Sequence, residues 1–182
     1  MEHYILVIDQ GTTSSRVLIY DANGHELVKE QKDFKQHYPK KGWVEHQPLD
    51  IWQDVLTLMQ TALKRAKLTA NDLSGIGLTN QRETIVVWEK ETGQPVYPAI
   101  VWQDTRTSQI CQSLQKDGLE SNVHKKTGLF ISPYFSASKI KWILDTVPNA
   151  RAQAKNHKLL CGTIDCFLLW QLTKGQVHQT DI

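Results

Sequence analysis

The sequence lacks most of what would place it in several large functional classes. Its 182 residues carry only three cysteines, Cys111, Cys161 and Cys166. Their number is odd and their spacing suits no metal, so they read as reduced thiols of a cytosolic protein, each packed in the interior by default. Basic clusters are missing too. Against 19 Asp and Glu stand 21 Lys and Arg for a net charge of +2, and the densest basic stretches are the pairs Lys40-Lys41 and Lys125-Lys126. The electrostatic footprint of a nucleic-acid binder is therefore absent. No apolar run reaches membrane-spanning length, and the N-terminal one stops at Asp9 without the basic flank of a signal peptide. The expected location is the cytoplasm. There is no repeat, low-complexity tract or internal linker, and the chain is long enough for one domain, residues 1–182.

What the sequence does have is punctuated strands followed by helical stripes. Tyr4 to Ile8 and Val17 to Tyr20 are short apolar runs around a polar turn, which predicts a β-hairpin. Asn23-Gly24 then marks a tight turn into a partly charged third strand, Leu27 to Phe34, expected near a sheet edge. Residues 35–47 read as a loop that Trp43 and Val44 anchor. Pro48 opens a helix running to Lys67, with Trp52, Val55, Leu56, Met59, Ala62, Leu63 and Ala66 as its apolar stripe. Further strands are expected at Leu73 to Leu78, Thr84 to Trp88 and Val96 to Trp102. Helices are expected at about Thr105 to Lys116, Ser136 to Thr146 and Ile164 to Leu172. Strands, a helix and more strands in this order indicate an α/β domain with a mixed sheet, an antiparallel hairpin and flanking helices.

The hairpin turn, Asp9-Gln10-Gly11-Thr12-Thr13-Ser14-Ser15-Arg16, has the makings of a phosphate site. Gly11 permits positive φ and presents no Cβ to a ligand. Successive backbone N–H groups in such a turn can cradle an anion, with Thr12, Thr13 and Ser14 adding hydroxyls and Arg16 a permanent charge. Asp9 at the strand end could hold a magnesium ion, directly or through water. The plainer reading is a hairpin that binds nothing. The turn is not a P-loop, since it has no lysine and no helix signal after it.

Polar residues at other strand ends suggest a second ligand. In Asn80-Gln81-Arg82-Glu83 a guanidinium fork and a carboxylate together match the donors and acceptors of vicinal hydroxyls. A surface ion pair is the competing reading. Trp102 can wall a pocket against the carbon face of a polyol or simply pack in the core. Asp104 reads as a helix N-cap, with no ligand role for it or for Arg106. Tyr134, beside Pro133, either turns its hydroxyl into the same pocket or packs.

Taken in order, these stretches resemble the FGGY carbohydrate kinase family. The likeness rests on Asp9 to Arg16, Gly42-Trp43-Val44-Glu45-His46, Thr79-Asn80-Gln81-Arg82-Glu83-Thr84, Val101-Trp102-Gln103, Pro133-Tyr134-Phe135-Ser136 and Lys141-Trp142-Ile143-Leu144-Asp145. The Asn-Gln-Arg-Glu-Thr run is similar to the branch acting on glycerol. The resemblance implies an actin-like, ribonuclease-H-like ATPase fold and transfer of the γ-phosphoryl group of ATP to glycerol, giving sn-glycerol 3-phosphate with Mg²⁺. By the same resemblance Gly11, Thr12, Thr13, Ser14 and Arg16 contact nucleotide phosphates, Asp9 the metal, and Arg82, Glu83, Trp102 and Tyr134 glycerol. Family members are much longer, so the chain is expected to be a truncated N-terminal portion without the second, nucleotide domain. The aspartate acting as general base, a pocket phenylalanine and the adenosine segment would lie beyond Ile182. Thr105 stands where many relatives have arginine. The implied full-length form is a homo-oligomer, and the isolated chain is expected to be inactive. The rival readings are a kinase for another polyol or sugar, a non-catalytic actin-like ATPase module, or a folding or interaction unit that binds no ligand.

Overall fold

A computed structural model describes residues 3–181, so Ile182 lies outside the described residues. The chain divides into two compact units, Met1–Gln36 with Gln47–Gln81, and His37–His46 with Arg82–Ile182.

The first unit is one four-stranded sheet with a helix on it. It contains β1 (Tyr4–Gln10), β2 (Ser14–Tyr20), β3 (Glu26–Asp33), α1 (Pro48–Ala66) and β5 (Leu73–Asn80), while β4 (Glu45–His46) belongs to the other unit. The sheet order is β3-β2-β1-β5. The first three strands form the expected antiparallel meander with β3 at an edge, and β5 adds in parallel to β1. Alternation decides the faces. Leu6 and Ile8 of β1 and Val17 and Ile19 of β2 are fully buried, and α1 packs on β2 and β3. The buried face of α1 is Ile51, Val55, Leu58 and Ala62, at i, i+4, i+7 and i+11. This corrects the expected stripe. Val55 and Ala62 do face inward, but Trp52, Leu56, Met59, Leu63 and Ala66 are only half-buried, because one sheet face covers a band narrower than the helix's apolar side. Each fully buried aliphatic side chain stabilises by about 1.5–3 kcal/mol. Pro48 sits in the first turn as expected, and the helix stops where Lys67 turns left-handed at φ 57°. Lys32–Asp54 at 2.5 Å and Arg65–Glu30 tie α1 to β3.

The second unit is built on an antiparallel sheet of order β4-β7-β6-β8, made of β4 (Glu45–His46), β6 (Ile85–Glu89), β7 (Ala99–Ile100) and β8 (Leu159–Thr163). Its helices are α2 (Ser108–Lys116), α3 (Glu120–Thr127), α4 (Ser136–Thr146), α5 (Ala150–Lys155) and α6 (Ile164–Leu172). Strand β6 is buried on both faces. Ile85 and Val87 join Ile100 and Ile143 of α4, while Trp88 meets Phe167 and Trp170 of α6 edge-on at 5.3 and 6.2 Å between ring centres. The expected strand over Val96 to Trp102 shrinks to Ala99–Ile100, since prolines stand at 95 and 98 and the chain turns after Val101. The helix expected from Thr105 starts at Ser108, because the residues before it serve a buried network described below. Cys111 and Cys166 are buried, but Cys161 is exposed, against the default expected of all three. No helix among the described residues is long and apolar enough to cross a membrane.

Candidate functional site

In the first unit the hairpin loop Gly11 to Thr13 is fixed by its carbonyls. Gly11 N–H donates to the Ser14 carbonyl at 2.9 Å and closes the turn. The Gly11 carbonyl accepts from the side-chain amides of Gln10 at 2.7 Å and Gln81 at 3.2 Å. The Thr12 carbonyl accepts from the Gln36 amide at 3.1 Å, and that of Thr13 from the Phe34 N–H at 3.2 Å. With all three carbonyls engaged, the negative ends of these peptide dipoles are withdrawn from competition with an approaching anion. Gln10 and Gln81, both buried, also pair with each other through Gln81 Nε2 and Gln10 Oε1 at 3.1 Å. Sequence reasoning assigned them no role, although each sits at the polar end of a strand, Gln10 closing β1 and Gln81 following β5.

One expectation for Gly11 is corrected. It is not among the residues with positive φ. What requires glycine is space, since a Cβ would lie 3.2 Å from the Ser14 carbonyl oxygen. Among the hydroxyl residues Thr13 is exposed, Thr12 half-buried and Ser14 only 3% exposed. Asp9 and Arg16 face each other across β1 and β2, joined at 2.8 Å, and Arg16 Nε also donates to Gln31 at 3.1 Å. Asp9 is thus a single, partly exposed carboxylate. No cluster of three or more His, Cys, Asp or Glu converges among the described residues. Such a donor set suits a hard cation that arrives with phosphate oxygens and water, not one held by protein alone.

In the second unit Arg82 and Glu83 form the turn that leads into β6. Glu83 is left-handed at φ 66°, which costs a non-glycine residue about 1–3 kcal/mol when the surroundings enforce it. The surroundings here are the start of α4. Glu83 Oε2 accepts from Ser136 N–H at 2.9 Å and Ser136 Oγ–H at 2.6 Å, which caps a helix whose own N-cap, Phe135, has no polar side chain. Glu83 makes no ion pair with the exposed Arg82 among the described residues, so the reading as a surface pair is overturned. Trp102 and Tyr134 meet edge-on at 5.8 Å, and Tyr134 meets Phe135 at 5.1 Å. The Trp102 N–H donates to Thr84 Oγ1 at 3.3 Å. The structure thus brings Glu83, Trp102 and Tyr134 together around the N-terminus of α4, with Arg82 next to Glu83 in the chain.

Behind this cluster is a buried charge network that the sequence did not announce. Arg106 grips Asp104 with Nε at 2.9 Å and Nη2 at 2.8 Å, and donates to Glu45 at 2.8 Å and to the Tyr97 hydroxyl at 3.2 Å. Its guanidinium lies 3.8 Å from the Trp43 ring centre and 4.7 Å from that of Trp142. Burial alone would lower the Arg106 pKa, but its hydrogen bonds to Asp104 and Glu45 outweigh burial and raise it. Asp104 is not a helix N-cap, a position that Thr107 takes. Its Oδ2 instead accepts the Val44 N–H at 2.7 Å, so Trp43 and Val44 do anchor their loop. Lys139, fully buried, donates to the carbonyls of Pro133 at 2.5 Å and Tyr134 at 2.7 Å. Burial pushes its pKa down to about 8 against the opposing pull of Asp104 and Glu83.

The N-terminal domain of the FGGY family of carbohydrate kinases matches residues 4–182. The glycerol kinase of Alcanivorax borkumensis is 56% identical over 178 residues, which are 98% of this chain and 36% of that protein. That of Ralstonia pickettii is 52% identical over 179 residues, again 98% and 36%. The chain therefore spans about a third of the length of these relatives. Among solved structures, Plasmodium falciparum glycerol kinase with ADP superposes with a TM-score of 0.89 at 34% identity, covering 95% of this chain and 35% of that one. Lactobacillus acidophilus gluconate kinase, at 20% identity and a TM-score of 0.82 over 94% and 33% of the two chains, shares the fold alone. This chain belongs to the FGGY family of carbohydrate kinases, with the actin-like ATPase fold of that family, and corresponds to its N-terminal portion.

Proposed function

We propose that this chain is the N-terminal part of an ATP-dependent glycerol kinase. The observation carrying the proposal is identity above half to glycerol kinases over nearly the whole chain. In this reading the terminal hydroxyl of glycerol attacks the γ-phosphorus of ATP, the bond from that phosphorus to the bridging oxygen breaks, and sn-glycerol 3-phosphate and ADP form. Arg82 and Glu83 hold the polyol hydroxyls as donor fork and acceptor, and Trp102 and Tyr134 wall its carbon face. Gly11, Thr12, Thr13, Ser14 and Arg16 bind and orient the phosphates. Mg²⁺, bound through Asp9 and the nucleotide, would neutralise phosphate charge. The base that takes the hydroxyl proton is assigned to the rest of the protein, which in full length is a homo-oligomer.

Calorimetric titration of the 182-residue chain with glycerol, xylulose and ATP, alongside an assay for glycerol 3-phosphate, tests this. Glycerol is expected to bind in preference to xylulose, Arg82→Ala to abolish that binding, and no product to form. Equal or better binding of xylulose would point to a sugar kinase. Product formed by the chain alone would refute the division of labour.

A further inference from the structure

A lysine with no solvent exposure needs a reason. Lys139 is 0% exposed, and burying an ammonium is costly unless its donors are used. Methionine would fill a similar volume without that cost. Lys139 sits in the first turn of α4 and reaches back to the two carbonyls immediately before the helix, Pro133 at 2.5 Å and Tyr134 at 2.7 Å. Those carbonyls belong to the segment that carries the Tyr134 ring against Trp102. Little else holds that segment. The Tyr134 N–H reaches Ser132 Oγ at 3.2 Å and the Phe135 N–H reaches the Ser132 carbonyl at 3.3 Å, and Tyr134 itself is 41% exposed. From the other side Glu83 caps Ser136, and Ser138, next to Lys139, bonds to Thr107 at 2.9 Å.

We propose that Lys139 is a positioning residue of the polyol site, holding the backbone at Pro133 and Tyr134 so that the Tyr134 ring keeps its place against Trp102. The inference rests on the glycerol reading given above. Lys139 touches no ligand in it. It acts through Tyr134, and the Glu83 cap and the Lys139 clamp together fix the two sides of one helix entrance. The charged and titratable groups acting on the ammonium are Asp104, Glu83 and Cys111, which favour its charged form, and Arg106, which opposes it.

The test compares the wild-type 182-residue chain with Lys139→Met, Lys139→Arg and Ile143→Ala. Ile143 is buried in the same helix but bonds to neither carbonyl, so its variant reports the effect of a weakened α4 alone. Glycerol affinity is read by calorimetry and the Tyr134 and Phe135 amides by hydrogen exchange. Lys139→Met is expected to weaken glycerol binding at least tenfold and to speed exchange at both amides. Lys139→Arg should recover part of both, and Ile143→Ala should lower the unfolding midpoint with affinity unchanged. If Lys139→Met does not fold, Lys139→Gln decides, because its shorter side chain cannot reach both carbonyls; glycerol affinity in Lys139→Gln equal to wild type would overturn the proposal. Affinity in Lys139→Met equal to wild type, or reduced only together with Ile143→Ala, also overturns it. A wild-type chain that does not bind glycerol removes the reading that this chain's own residues make the polyol site, which is a different failure.

Discussion

Replacing Arg106 by methionine is the most demanding test of how the second unit is held together. The Arg106 and Asp104 side chains are fully buried and that of Glu45 is 8% exposed, so the change leaves two carboxylates without their cation in a dry interior. Breaking a buried pair in this way costs about 3–5 kcal/mol. Loss of the stack on Trp43 and Trp142 adds about 1–2 kcal/mol, the range for desolvated cation–π contacts. The sum, roughly 4–7 kcal/mol, is a large share of the roughly 5–15 kcal/mol that holds a typical domain folded. Urea unfolding followed by tryptophan fluorescence suits the question, because Trp43, Trp88, Trp102, Trp142 and Trp170 lie in this unit and only Trp52 in the other. With a urea slope of about 2 kcal/mol per molar, the midpoint should fall by roughly 2–3.5 M. Arg106→Lys should fall between, since it keeps the charge but loses the fork. The triple variant Glu45→Gln, Asp104→Asn, Arg106→Met should recover part of the loss, because no charge is then stranded. A cost below about 1.5 kcal/mol for Arg106→Met, or a triple variant worse than the single one, would refute the reasoning.

Two further outcomes follow from the same physics. Arg16→Ala should leave stability within about 1 kcal/mol, because its pair with Asp9 is partly exposed, yet weaken ATP binding; a calorimetric titration unchanged by the substitution would remove Arg16 from the phosphate site. For Lys139 the folded pKa is depressed to about 8 from an unfolded value of about 10.4, so between those values the unfolded chain binds more protons and stability rises with pH. The stability of wild type relative to Lys139→Met should therefore increase from pH 7 to pH 11 by up to about 3 kcal/mol, and a difference that is flat or falls with pH would mean the ammonium is not buried as described.

Much of the fold was legible in the sequence because its signals are local. The meander follows from alternation and from Asn23-Gly24, where Gly24 adopts φ 82°. Helices α4 and α6 occupy the expected residues because apolar side chains fill them and breakers, Pro148 and Gly175, follow them. What escaped was structure with no stripe to read. Helix α3 buries no residue and α5 buries only Ala150, so neither has a periodic face. Strand β4 is a glutamate and a histidine, both buried, inside a stretch whose polarity reads as a loop. The candidate site divides in the same way. Hydroxyls, glycine and arginine at a turn declare themselves, whereas Gln10, Gln81, Asp104, Arg106 and Lys139 look like ordinary surface residues until their partners are known.

That contrast separates the two units energetically. The core of the first is a conventional one, aliphatic β1 and β2 against α1, with buried polar groups such as Gln10, Ser14, Ser15 and Gln81 at the hairpin end of the sheet. The second places Glu45, Asp104, Arg106 and Lys139 inside itself, an arrangement that well-packed apolar residues would often equal or exceed in stability. Its return is geometric. Asp104 fixes the Val44 N–H, Arg106 is stacked on Trp43 and Trp142, and Lys139 fixes the backbone at Tyr134. Each of these contacts sets an orientation that a greasy core of equal stability would leave free to repack. A polyol offers a protein little besides hydroxyl directions and a short carbon face. The proposed glycerol site would therefore depend on orientation more than on buried area, and the polar interior of this unit would supply it.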